Sequence, residues 1–212
     1  MAYADTGVLI SVGRNRNCIP RFKAHYEGRL RIAESVAMEV ERNASPATRV
    51  DGRVRTAAAM AKASILDGGS CQVDPDENYD SLTFDEVHRK LQNLPRRADE
   101  PVHALAHLGE AASIALCIAR AGEGISIVFL VNDGGASLVA SQHGIPARHF
   151  GHVLGELICG GLYTSVDAFE AFTMANAVSG VPGDAAPASA SALECRKSSD
   201  GQACAVCDPA AQ

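Results

Sequence analysis

The chain of 212 residues contains no tryptophan, and aromatic residues make up only 5% of it. Its core must therefore be built mainly from Ala, Val, Leu and Ile. No apolar run approaches the ~20 residues that a membrane-spanning helix needs. A secretory leader is not expected either, because Asp5 interrupts MAYADTGVLIS where the apolar region would lie. Excess positive charge is missing too. A formal net charge of −6 provides no overall attraction for nucleic acid, so such a role needs a local basic patch. The seven cysteines are odd in number and follow no regular framework. Cys18, Cys71, Cys117 and Cys159 are scattered through the body, which suits reduced thiols in a cytoplasmic protein. Cys204 and Cys207 form a lone CxxC, without the second pair that a zinc ribbon requires.

What is present suffices for one globular domain. Hydrophobic residues reach 47%, enough for a substantial core. The expected organisation is one domain over residues 1–178 and a tail over 179–212. That tail contains VPGDAAPASASA, a low-complexity stretch expected to be disordered.

The organising stretch is SIVFLVNDGGASLVASQHGI, Ser126 to Ile145. Ile127 to Val131 is an unbroken, β-branched-rich run of the length of a strand buried on both faces. Asn132-Asp133 and two glycines follow, then a short helical pattern ended by Gly144. Ile145-Pro146 starts another extended piece. In a parallel sheet ligands bind at the carboxyl ends of strands, and Asp133 sits at such an end. Asp133 also suits a helix N-cap, a role that needs no ligand.

Met1 to Ile10 repeats the pattern, a short strand handing over to a helix with Asp5 at the crossing. A second strand is expected at Leu30 to Ala33 and a third at Cys71 to Val73. Helices are expected from Ser35 to Asn43, Val50 to Leu66, Phe84 to Leu94, residues 107–122, Phe150 to Gly161 and Ser165 to Ala177. On the first of these, Glu39 lies beside the Val36/Val40 stripe, where it can face a sheet edge or pair with Arg42 on the surface. Glu110 opens the 107–122 helix, where the helix dipole alone would favour it. His103 and His107 are spaced i,i+4 but have no third ligand nearby for zinc. The acidic stretch from Asp74 to Glu86 lacks the DxDxDG spacing of a calcium loop. Arg14, Arg16, Arg21 and Lys23 form a local basic cluster, the best candidates for phosphate contacts unless they belong to a solvated surface.

Taken together, Asp5, Glu39, Glu110 and Asp133 each fall at a strand end or near a sheet-facing helix edge. Four carboxylates in one cleft repel one another unless a hard cation such as Mg²⁺ or Mn²⁺ intervenes. A site of that kind activates water against a phosphodiester.

The segments YADTGVLI, ESVAMEVER, LGEAASIALCIAR and VNDGGASLVASQHGIP, in this order across residues 1 to about 160, resemble PIN-domain proteins, close to the VapC-type toxin endoribonucleases. The resemblance implies a three-layer α/β/α sandwich around a parallel sheet. It implies Mg²⁺- or Mn²⁺-dependent RNA hydrolysis with Asp5, Glu39, Glu110 and Asp133 at the metal site, Asp5 and Asp133 as direct ligands, and Thr6 and Asn132 supporting them. It also implies a homodimer and neutralisation by a small antitoxin. The sequence departs from the pattern at Asn132 and Val131, where related chains often carry Asp or a hydroxyl residue. Gly134, Gly135 and Ser137 stand where an Arg is common, and the insertion around 67–101 has no counterpart.

Two alternatives differ in class. One is a PIN-like RNA-binding or scaffold protein without catalysis. The other is a receiver or nucleotide-binding domain, which needs a phosphate-cradling glycine loop after the first strand; Gly7 alone does not provide it.

Overall fold

Three residues of β1 (Ala2–Ala4) lie at the centre of the sheet, and all three are buried. Alanine has little intrinsic preference for strands, so position decides here: β1 is hydrogen-bonded on both sides and covered on both faces. The computed structural model describes residues 1–94, 106–179 and 187–193. In chain order the elements are β1, α1 (Thr6–Gly13), α2 (Cys18–His25), β2 (Leu30–Ala33), α3 (Glu34–Ala44), α4 (Gly52–Ala61), β3 (Gln72–Asp74), α5 (Ser81–Gln92), α6 (Leu108–Gly122), β4 (Val128–Leu130), α7 (Gly134–Gln142), β5 (Ala147–Arg148), α8 (Phe150–Cys159) and α9 (Ser165–Ser179).

The strands form one sheet in the order β3-β2-β1-β4-β5, and every neighbouring pair is parallel. The chain moves outward from β1 to β2 and β3, then returns to the other side of β1 for β4 and β5. The order therefore reverses between β1 and β4. This is the crevice where open α/β sheets bind ligands.

Helices α1, α2, α8 and α9 pack on one another, as do α5, α6 and α7, giving a helical layer on each side of the sheet. Helix α3 touches both α1 and α6 and so spans from one layer to the other. The α/β/α sandwich expected from the sequence is the architecture observed. Its core includes Tyr3, Leu9, Phe22, Ile32, Leu116 and Phe129, all fully buried.

Several boundaries differ from expectation because of side-chain caps. Asp80 accepts a hydrogen bond from the Thr83 amide at 2.9 Å, so α5 begins at Ser81 rather than at Phe84. Asp51 caps α4 in the same way, at 2.7 Å from the Arg53 amide. The helix then ends in a π turn, Lys62–Leu66. No loop separates β2 from α3.

Part of the expected tail is folded: Ala190–Leu193 forms a 3-10 turn, and Leu193 is buried in the main core. Residues 180–186 and 194–212, with Cys195, Cys204 and Cys207, lie outside the described residues, as do His103 and the RRADE connection. Among the described residues, no helix is long and apolar enough to cross a membrane.

Candidate metal centre

Asp5 follows β1 directly and caps α1, its Oδ2 accepting from the Gly7 amide at 3.1 Å. Asp133 lies three residues beyond the end of β4 and caps α7, its Oδ1 accepting from the Ala136 amide at 2.7 Å. The cap and the strand-end position suggested for these residues thus coexist. A parallel sheet puts both acids on its carboxyl edge, and β1 and β4 are adjacent.

Glu39 and Glu110 arrive from above, on α3 and α6. Gly109 eases the close packing of α6 on α3: a Cβ there would stand 3.2 Å from Val36 Cγ2, a tight contact, and 3.4 Å from Glu39 Oε2. The four acids line one pocket of about 510 Å³ with Thr6, Gly7, Ile10, Asn43, Asn132 and Gly134.

The acids are unequal. Asp5 is 5% exposed, and its Oδ1 is buried without a hydrogen-bond partner. Burial pushes its carboxyl well above the ordinary carboxylate range. Glu110 and then Glu39 add repulsion, which the Gly7 amide only partly offsets. Glu39 is also raised, by burial first and by Glu110, against the Thr6 hydroxyl that donates to its Oε2 at 2.8 Å. Its Oε1 lies 3.8 Å from Arg42, so the surface pairing expected for Glu39 is present as well. Glu110 Oε1 lies 3.6 Å from His107 Nδ1. Asp133 is exposed at the rim.

The donor set fits a hard divalent cation: four carboxylates, one with an unpartnered buried oxygen, held where their charges oppose one another. The side chains are not drawn together as ready-made ligands, however. Among the described residues, no three His, Cys, Asp or Glu side chains cluster tightly enough to hold an ion.

Asn132 lines the pocket, and its side-chain amide is also tied into the fold. Its Nδ2 donates to the Gly7 carbonyl at 3.2 Å and to Ser11 Oγ at 3.0 Å, and its Oδ1 accepts from the Phe150 amide at 2.9 Å. It latches α1 and α8 onto the end of β4. Thr6, by contrast, holds a pocket acid directly.

The basic residues do not line the pocket. Arg14 donates to the carbonyls of Met174 and Arg53. Arg21 donates to those of Leu162 and Asn17 and lies 4.8 Å over the Tyr163 ring. Arg16 is exposed, and Lys23 borders a separate hollow near Gly68–Ser70. Sequence reasoning missed Asn43, which lines the pocket one helical turn beyond Glu39. The i,i+4 spacing on α3 was the signal that could have found it.

No protein-family profile matches the chain, and comparisons with curated proteins and with solved structures found no match.

Proposed function

We propose that this protein is a Mg²⁺- or Mn²⁺-dependent endoribonuclease of the PIN type. One observation carries this reading: Asp5, Glu39, Glu110 and Asp133, separated along the chain, line one pocket at the switch point of a parallel sheet. Asp5 and Asp133 hold the cation from the two strand ends, Glu110 completes the set, and Glu39 closes the acidic ring with its orientation fixed by Thr6. A divalent cation held by these residues would offset their charges and would supply Lewis-acid chemistry to the phosphodiester and to water. RNA as the substrate, a small antitoxin as partner and a homodimer rest on the four sequence segments alone, and a cytoplasmic location rests on the scattered cysteines.

The test is degradation of labelled RNA by the purified protein with Mn²⁺ and with chelator. Cleavage should appear with Mn²⁺ and vanish with chelator. Cleavage that persists in chelator rules out the proposed chemistry.

The open spacing of the carboxylates favours a second reading, a PIN-like RNA-binding or scaffold protein without catalysis. Under that reading Mn²⁺ neither binds nor raises the melting temperature. Under the first reading it does both.

A further inference from the structure

We propose that the amino edge of the same sheet carries a second binding site, for a small organic anion with an apolar body. A cavity of about 440 Å³ opens there, beneath the starts of β1, β4 and β5 and between the last turns of α2 and α8. This volume lies within the range of small-molecule sites, roughly 300–1,000 Å³. It shares no lining residue with the acidic pocket, so it stands or falls independently of the nuclease reading.

The charge of the ligand follows from the ionised side chains. Arg148, 2% exposed, lines the cavity, and Arg29 stands exposed at its mouth. Facing them is one carboxylate, Glu156, and it is already engaged. Its Oε2 accepts from the Tyr26 hydroxyl at 2.5 Å and lies 3.3 Å from His25 Nε2, while its Oε1 is 3.6 Å from Arg148 Nε. Two guanidinium groups outnumber the one carboxylate among the lining side chains, and the Met1 amino group, donating to the Ser126 carbonyl at 2.9 Å, adds positive charge at the same edge. Charge-assisted contacts are strong there. The carbonyl end of α2, which would otherwise favour a cation, is met by Arg29 donating to the His25 carbonyl.

The walls supply the rest of the specificity. Tyr26 and Ile127 are buried along the cavity, and Pro146 borders it. A planar carboxylate or phosphate ester on an aromatic or aliphatic body fits this combination: its anionic end meets Arg29 and Arg148, and its body lies against the apolar wall.

Isothermal titration of the purified full chain tests this with benzoate, phenyl phosphate and the neutral benzamide. At least one anion should bind saturably at one site per chain, about tenfold more tightly than benzamide. The preferred anion separates a carboxylate ligand from a phosphate one. Arg29→Gln, on an exposed side chain, should weaken binding about tenfold, and Arg148→Lys should do the same by removing the planar fork. If Arg148→Lys fails to melt cooperatively, Arg29→Gln decides alone. Three results overturn the proposal: no saturation by either anion at millimolar concentration, benzamide binding as well as the anions, or unchanged affinity in the folded arginine variants.

Discussion

At the carboxyl edge of the sheet, four acids border one pocket, and Arg42 offers a contact of 3.8 Å to one of them. At the amino edge, two arginines border a cavity with a single committed glutamate. The strands joining the edges are only two to four residues long, so opposite charge excesses sit at the two ends of one thin core. The difference teaches where the fold carries tension. Arg148 has a counter-ion in Glu156, whereas Asp5 has a buried oxygen with no partner and like charges on two sides. An unpaired buried charge is costly, so the carboxyl edge is where binding something from solution stabilises the protein most.

The most severe way to break the contrast is Asp5→Asn. It removes a charge that the proposed cation needs, and RNA cleavage should fall by at least about a hundredfold, more than the loss typical of a supporting residue. Stability should move in the opposite direction. The folded-state carboxyl of Asp5 lies above its ordinary value of 3.8, so the unfolded chain loses its proton first as pH rises. In the metal-free protein this group therefore weakens the fold progressively from about pH 4 up to the raised value. Asp5→Asn should melt at a higher temperature than the parent near neutral pH, with the gap closing as pH falls towards 4. A variant that melts lower at neutral pH would show that Asp5 is not strained, and Mn²⁺ should raise the parent's melting temperature more at neutral than at acid pH.

Next in size is Asn132→Asp, which restores the acid common in the resembled family. If Asn132 were simply a weaker ligand, the change would improve metal binding and leave the fold alone. As a latch, Asn132 should behave otherwise. The carboxylate cannot donate to the Gly7 carbonyl, and its oxygen would face that carbonyl where an amide now donates at 3.2 Å. A loss of about 1–3 kcal/mol in denaturant unfolding is expected. Tighter Mn²⁺ binding at unchanged stability would return Asn132 to the metal site.

The latch also marks how far the sequence could be read. The sheet was legible because buried parallel strands leave continuous apolar runs such as Ile127 to Val131, and because Gly144 and the Asp caps punctuate the chain. Asp5 and Asp133 were legible near strand ends, Glu110 at a helix start and Glu39 beside the apolar stripe of α3. Two facts were not. That the Asn132 amide is tied into the fold as well as lining the pocket depends on α8 returning beside β4, a contact 18 residues away that no local pattern encodes. The engagement of Arg14 and Arg21 with backbone carbonyls depends on α9 and the turn before it, more than 140 residues away. A basic cluster reads the same in sequence whether it awaits phosphates or holds a helix.

A smaller effect should come from Thr6→Val. The Thr6 hydroxyl is the side-chain hydrogen bond that opposes the raised carboxyl of Glu39. Without it Glu39 holds its proton to higher pH and loses its fixed orientation. Mn²⁺ affinity should drop about tenfold, and the pH at which cleavage reaches half its maximum should rise. Serine at this position should restore both, because the hydroxyl alone makes the bond. A Thr6→Ser variant as impaired as Thr6→Val would assign the effect to the methyl group and its packing.

The smallest effect is expected at the basic cluster. Helix α1 has eight residues, about 12 Å at 1.5 Å per residue, so Arg14 and Arg16 lie a helix length from Asp5. Arg14 and Arg21 are occupied with carbonyls, which leaves Arg16 as the exposed member nearest the α1 end. Arg16→Gln should lower RNA cleavage only about twofold, across all sequences alike, and reduce the slope of log affinity against log salt by about one. A loss beyond tenfold would mean that the strand runs along α1 from the pocket to Arg16. The cluster would then join the acidic edge as one surface. An unchanged salt slope would leave the phosphates to be held elsewhere along the carboxyl edge, where Asn43 is a pocket residue that can donate a hydrogen bond without adding charge.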